Sequence, residues 1–173
     1  PSASRATTAA ALRSLAVSGR RDAAVVAWQR AVAVEPGVDE ELRTALAEGL
    51  LDGGEPAAAL PFCVGAPVLR AQALLDTGQL EAARHELVAL GEPRGARHRR
   101  VAAQLAVARG DLDVARRLLE AGEKSPLEEV TLAAVHEQAG RLETAEQVLA
   151  RLAKHLDVTA QPFVAASAHT VRG

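Results

Sequence analysis

The sequence predicts an all-α chain: an α-solenoid of about five helix-turn-helix repeats followed by a C-terminal helix. Three observations lead there. Nearly half of the 173 residues are apolar, and Ala, Leu and Val supply almost all of them, with no Ile, Tyr or Met. Ala and Leu lose little entropy in a helix, whereas β-branched and aromatic residues favour strands. Second, a short pattern recurs: Gly, an acid or Pro three residues on, and Ala five residues on. It stands at Gly19–Ala24, Gly53–Ala58, Gly78–Ala83, Gly110–Ala115 and Gly140–Ala145, with glycine spacings of 34, 25, 32 and 30 residues. Third, apolar residues of helical period flank each glycine.

The elements follow in order. Each glycine is expected to end one helix in the left-handed conformation, at no Cβ cost. The acid (Asp22, Glu81, Asp113, Glu143) then sits in the first turn of the next helix, where it suits the dipole. The Ala is small because two helices cross closely there. Repeat one, residues 5–38, pairs helices near 5–18 and 21–34. Leu12, Leu15 and Ala16 line the first helix, and Ala24, Trp28 and Ala31 the second. Repeat two, 39–63, pairs 39–51 with a stunted helix near 55–63. Pro56 is harmless in a first turn, but Pro61 removes a hydrogen bond and clashes with the preceding turn. Repeat three, 64–95, pairs 67–76 with 79–90. Repeat four, 96–125, pairs 94–108 with 111–122. Repeat five, 126–158, pairs 126–138 with 141–155. A last helix near 162–171, within 159–173, starts a sixth repeat or caps the array, whose ends need a polar face. The whole chain, 1–173, is read as a single repeat domain.

Gly19, Ala24, Trp28, Ala31 and Pro36 fall at the relative positions of the tetratricopeptide signature, and residues 5–38 resemble one complete 34-residue repeat. Repeats three to five keep the Gly and Ala but place Leu87, Leu119 and Leu149 at the large position. His136 stands where that family has Tyr. The resemblance covers about nine-tenths of the chain and is weakest in repeat two. It implies a right-handed superhelix whose concave groove is lined by the first helix of each pair. Counted back from the turn glycines, Arg97, Arg100 and Gln104 of repeat four, Glu40 and Arg43 of repeat two, and Ala6, Ala9 and Arg13 of repeat one take the groove positions. Arg97, Arg100 and Gln104 share one helix face. Two guanidiniums and an amide there suit a carboxylate or an acidic segment. The plain alternative is a basic turn paired with nearby acids. The lysine and asparagine set with which some members of that family hold a carboxylate is absent.

No enzyme motif is present: no H-E-x-x-H, G-x-S-x-G, P-loop or G-x-G-x-x-G. The five histidines do not share metal-ligand spacing, so neither metal nor cofactor is expected. Cys63 follows Pro61 and Phe62 in an apolar stretch and reads as a buried small hydrophobe rather than a reactive thiol. A net charge of -2 and only three aromatic residues speak against nucleic acid. No apolar run is long enough to span a bilayer, and no signal peptide is visible. A single cysteine fits a reducing compartment, so a cytoplasmic location is expected. The chain opens at Pro1 and stops at the turn-type Gly173, so it reads as a processed form or a piece of a longer protein.

These readings point to a protein–protein interaction module, a scaffold or adaptor rather than an enzyme. It would hold a peptide or helical segment, acidic in character, at Arg97, Arg100, Gln104, Arg43 and Arg13. The alternative is a sensory or homodimerising tetratricopeptide-like domain of a larger regulator or enzyme.

Overall fold

The computed structural model describes residues 2–121 and 125–155, and these are all-helical, with no strand among them. The ten helices are α1 (Ser2–Val17), α2 (Arg21–Val34), α3 (Asp39–Asp52), α4 (Pro56–Ala59), α5 (Pro67–Asp76), α6 (Leu80–Leu90), α7 (Ala96–Ala108), α8 (Leu112–Glu120), α9 (Pro126–Gln138) and α10 (Leu142–His155). The expected helix near 162–171 lies outside the described residues. The chain divides into two compact bodies, one running to Gly91 and one starting at Glu92.

One turn is built five times. At the end of α1, the Gly19 N–H donates to the Ala16 carbonyl and the Arg20 N–H to the Leu15 carbonyl, at 3.0 and 2.9 Å. The same two bonds recur from Gly54 and Glu55, from Gly78 and Gln79, from Gly110 and Asp111, and from Gly140 and Arg141. This is the Schellman arrangement, which satisfies the last carbonyls of a helix and needs a left-handed residue. All five of these glycines have positive φ, between 72° and 81°. Five residues after each glycine an alanine N–H closes the first turn of the next helix (Ala24, Ala59, Ala83, Ala115, Ala145). Every one of these alanines is buried.

Repeat two corrects the sequence reading by one residue. Gly54, not Gly53, takes the left-handed position; Gly53 keeps a right-handed φ of -82° at the end of α3. A Cβ on Gly53 would come 2.9 Å from the Ala16 carbonyl oxygen. Gly53 is therefore small because α1 lies against it, and the turn falls to its neighbour. The buried alanine is accordingly Ala59 rather than Ala58. The second helix of this repeat is stunted, as Pro61 requires. It makes one α-turn, α4, and then a 3-10 turn over Leu60–Phe62.

In the N-terminal body α1 packs along α3, and α2 packs on both. Leu12, Leu42, Leu46 and Leu50 are fully buried. Phe62 meets Trp28 edge-on, with ring centroids 5.4 Å apart and planes at 81°. Short as α4 is, its 3-10 extension thus delivers an aromatic ring to the large position of repeat one. In the C-terminal body α7 packs with α8, α9 with α10, and α9 also against α7 and α8. Their core is built of Ala103, Ala115, Leu119, Leu132, Ala133, Val135 and Leu149.

α1 and α3 approach each other closely at Gly49 and Gly53. A Cβ on Gly49 would meet Ala16 Cβ at 2.8 Å and the Arg13 Cα and carbonyl oxygen at 2.9 Å. Gly49 and Gly53, one turn apart, let the two backbones touch. Replacing a mid-helix glycine by alanine ordinarily gains about 1 kcal/mol of helix propensity. Overpacking against a backbone that cannot rotate away costs about 1–3 kcal/mol. Two of the three clashes at Gly49 are with backbone atoms, so the upper part of that range, about 2–3 kcal/mol, applies, and the Gly49→Ala variant is expected to be less stable by about 1–2 kcal/mol. Urea unfolding followed by Trp28 fluorescence measures this; an unchanged or raised midpoint would show that α1 and α3 do not meet this closely.

Candidate functional site

The five residues expected to bind a partner fall in both bodies. Arg13 is on α1 and Arg43 on α3; Arg97, Arg100 and Gln104 are on α7.

In the N-terminal body, an open depression of about 510 Å³ runs between α1 and α3. Ala9 and Arg13 line it from α1, and Glu40, Glu41, Thr44 and Glu48 from α3. The correction at Gly54 explains that membership. Counted from Gly54 instead of Gly53, the groove positions of repeat two become Glu41, Thr44 and Glu48. All three line the depression, beside the matching Ala9 and Arg13 of repeat one. A shift of one residue turns a helix by about 100°. Arg43 is accordingly not among the lining residues. It forms an ion pair with Asp39 at 2.5 Å, and Asp39 also accepts the Trp28 Nε1 hydrogen bond at 3.2 Å. Arg43 thus braces the α2–α3 contact, and the structure does not bring it together with Arg13 in this depression.

Arg13 pairs with Glu48 across the depression at 2.7 Å, with side chains 46% and 26% exposed. A pair this exposed contributes only about 0–1 kcal/mol, so a competing charge displaces it at little cost. Three carboxylates face one guanidinium here. This surface is net acidic, where the expected positions Arg13, Glu40 and Arg43 gave a mixed one. The charge-matched spacing of Arg13 and Glu48, 35 residues apart, was the available signal, and the misplaced turn glycine concealed it.

In the C-terminal body, Arg97, Arg100 and Gln104 stand at i, i+3 and i+7 on α7, each partly buried. Gln104 Oε1 is buried and has no hydrogen-bond partner among the described residues. A buried acceptor left unmatched costs about 1–3 kcal/mol. Arg99 and His98, on the same helix, make structural contacts. Arg99 reaches Glu128 of α9 at 2.9 Å, with side chains 16% and 1% exposed. Glu128 also closes a capping box, accepting from the Ser125 N–H at 2.9 Å while its own N–H donates to Ser125 Oγ. His98 is buried, and its Nδ1 accepts the Arg94 N–H at 3.2 Å. Burial holds its pKa below the usual imidazole value, which keeps the ring neutral.

Cys63 is 1% exposed, and its Sγ donates to the Ala59 carbonyl at 3.3 Å. Burial pushes the thiol pKa up to about 11, against a smaller opposing pull from Arg70. Such a thiol stays protonated near neutral pH and is a poor nucleophile. Among the described residues no three His, Cys, Asp or Glu side chains come together as a metal site. No helix among them is long and apolar enough to cross a membrane.

Comparison of the chain with protein-family models, with curated proteins and with solved structures gives no match in any of the three.

The Arg99–Glu128 pair yields a direct check on the α7–α9 packing. Arg99→Met strands a buried carboxylate and is expected to destabilise the C-terminal body by about 3 kcal/mol. Adding Glu128→Gln, which removes the charge and keeps a capping side chain, is expected to restore more than half of that loss. Thermal unfolding of the single and double variants by circular dichroism measures both. A single variant as stable as wild type would mean that the pair carries no weight.

Proposed function

We propose that this chain is a tetratricopeptide-like protein–protein interaction module, with its helix pairs stacked in α-solenoid fashion within each body. It holds segments of a partner on the faces of the first helices of its pairs. The observation that carries this reading is the shared register of turn and surface. Arg13 of repeat one and Glu48 of repeat two, each six residues before its left-handed glycine, meet in an open depression rather than in the core. Helix pairs that leave polar residues at repeating positions on one face form an extended binding surface.

Binding at such a surface is passive. Affinity comes from a few anchors, and a prearranged groove spares the ordering cost. On α7, Arg97 and Arg100 put two guanidiniums, which suit a carboxylate, on the face that carries Gln104, and the unmatched Gln104 Oε1 suits a partner N–H. An acidic segment with a free amide fits that face. The α1–α3 depression, with its excess of carboxylates, suits a basic or neutral segment.

The experiment is a peptide array of graded charge, probed with wild type and with the Arg97→Glu/Arg100→Glu variant. Acidic peptides are expected to bind wild type and to lose about tenfold or more in the variant. The helical circular dichroism signal and the melting temperature should hold. Equal binding by both proteins would remove the α7 face from the reading.

A further inference from the structure

The first turn of α7 is closed by a histidine. Gly95 stands at the N-cap and has no side chain to offer, so no hydroxyl or carboxylate caps this helix there. His98, the third residue of α7, reaches back instead, and its Nδ1 accepts the Arg94 N–H at 3.2 Å. In α9 the same position carries Glu128, which reaches back to the Ser125 N–H. The two helices thus share one device and differ in its acceptor, a carboxylate in α9 and an imidazole in α7. Imidazole is the one side chain whose ordinary titration falls between about pH 5 and about pH 8. A neutral ring that accepts at Nδ1 carries its proton on Nε2. The next proton enters at Nδ1, the atom that the Arg94 N–H occupies. Protonation and this hydrogen bond therefore exclude each other.

We propose that His98 is an acid-sensitive latch on the entry to α7: the neutral ring holds the Arg94 N–H, and the protonated ring releases it. Release loosens Arg94, Gly95 and the first turn behind them. That turn carries Arg97 of the proposed partner face, and this consequence alone rests on the partner reading. The surroundings oppose a charge on the ring. His98 is 5% exposed, it stands at the positive end of the α7 dipole, and Arg97 and Arg99 flank it in the chain. The helices packed against α7 are α8 and α9. Their acids are matched elsewhere, Glu128 and Glu129 by Arg99 and Arg151, and Asp113 and Glu120 by Arg116. Arg117 of α8 adds positive charge, and His136 and Glu137 lie more than about two turns along α9 from Glu128. Glu92, in the entry segment, is exposed to water. Burial thus holds the ring below the usual imidazole value. An exposed imidazole takes its proton near about pH 6.5, and the buried ring takes it only at lower pH. The latch is therefore whole above that ordinary value, weakens as pH falls below it, and is open once pH passes the value of the buried ring.

The experiment follows the isotope-labelled full chain by nuclear magnetic resonance from about pH 8 to about pH 4, across the ordinary imidazole range. At the upper end the His98 ring nitrogens are expected to show the tautomer protonated on Nε2. On acidification the ring is expected to titrate below the ordinary value. Protection of the Arg94 N–H against hydrogen exchange, taken relative to its intrinsic rate, is expected to fall by about tenfold or more with the same midpoint. The amide of Val135, a buried core residue of α9, is expected to keep its protection through that midpoint. His98→Gln, whose side-chain oxygen accepts without titrating, is expected to make the Arg94 protection independent of pH. A proton on Nδ1 at the upper end, a ring that does not titrate in this range or does so at the ordinary value, or an Arg94 N–H that does not follow the ring would each overturn the latch. Loss of Val135 protection together with that of Arg94 would make the change a general acid unfolding and overturn it as well. So would a His98→Gln variant whose Arg94 protection still falls with pH.

Discussion

The constraint on which this structure depends is the left-handed glycine that closes the first helix of each pair. A helix leaves its last carbonyls unsatisfied, and the two bonds made around Gly19, Gly54, Gly78, Gly110 and Gly140 meet that need within two residues. So short a reversal brings the next helix back against the first at once. Only a small side chain fits at that crossing, and a buried alanine stands five residues after each glycine. Turn and crossing are therefore one device. It sets which residues of every first helix face inward and which face water.

That device also sets the register of the surface. Moving the left-handed position from Gly53 to Gly54 rotates the residue count on α3 by one step. Arg43 then belongs to the bracing contact with Asp39 and Trp28, and Glu48 belongs to the open face beside Arg13. The sign of the depression follows, acidic rather than mixed. Near neighbours on α3 thus have unlike roles, Arg43 in a bracing contact and Glu48 on the open face. In the C-terminal body Arg99 of α7 is turned to Glu128 of α9.

Most of the helical plan was legible in the sequence because it rests on local chemistry. Glycine, proline and apolar period act over four or five residues, and they placed α2, α5 and α9 to within a residue of their ends. The stunted α4 was legible for the same reason, since a proline in a helix interior, as Pro61 would be, breaks the helix. What was not legible rests on contacts between helices. Gly53 and Gly54 are alike as turn formers, and only the approach of Ala16 decides between them. Gly49 carried a signal in its spacing from Gly53, but two glycines one turn apart mark a close crossing only when a partner helix is known. The Arg99–Glu128 pair spans 29 residues, and its acid doubles as a cap, so the local pattern Ser125–Glu128 accounts for Glu128 without pointing to Arg99.

Tight crossings at the repeated alanines can be measured directly. Ala83 and Ala115, one in each body, are fully buried, while Ala57 and Ala82 are exposed. Leucine at each of the four positions, followed by urea unfolding with far-ultraviolet circular dichroism, separates crossing from composition. If the helices meet at the alanines, Ala83→Leu and Ala115→Leu lose about 1–3 kcal/mol. Ala57→Leu and Ala82→Leu then stay within about 0.5 kcal/mol of wild type. Equal and small effects at all four positions would mean that the pairs do not close on these residues, and the turn would lose its place as the organising element of the fold.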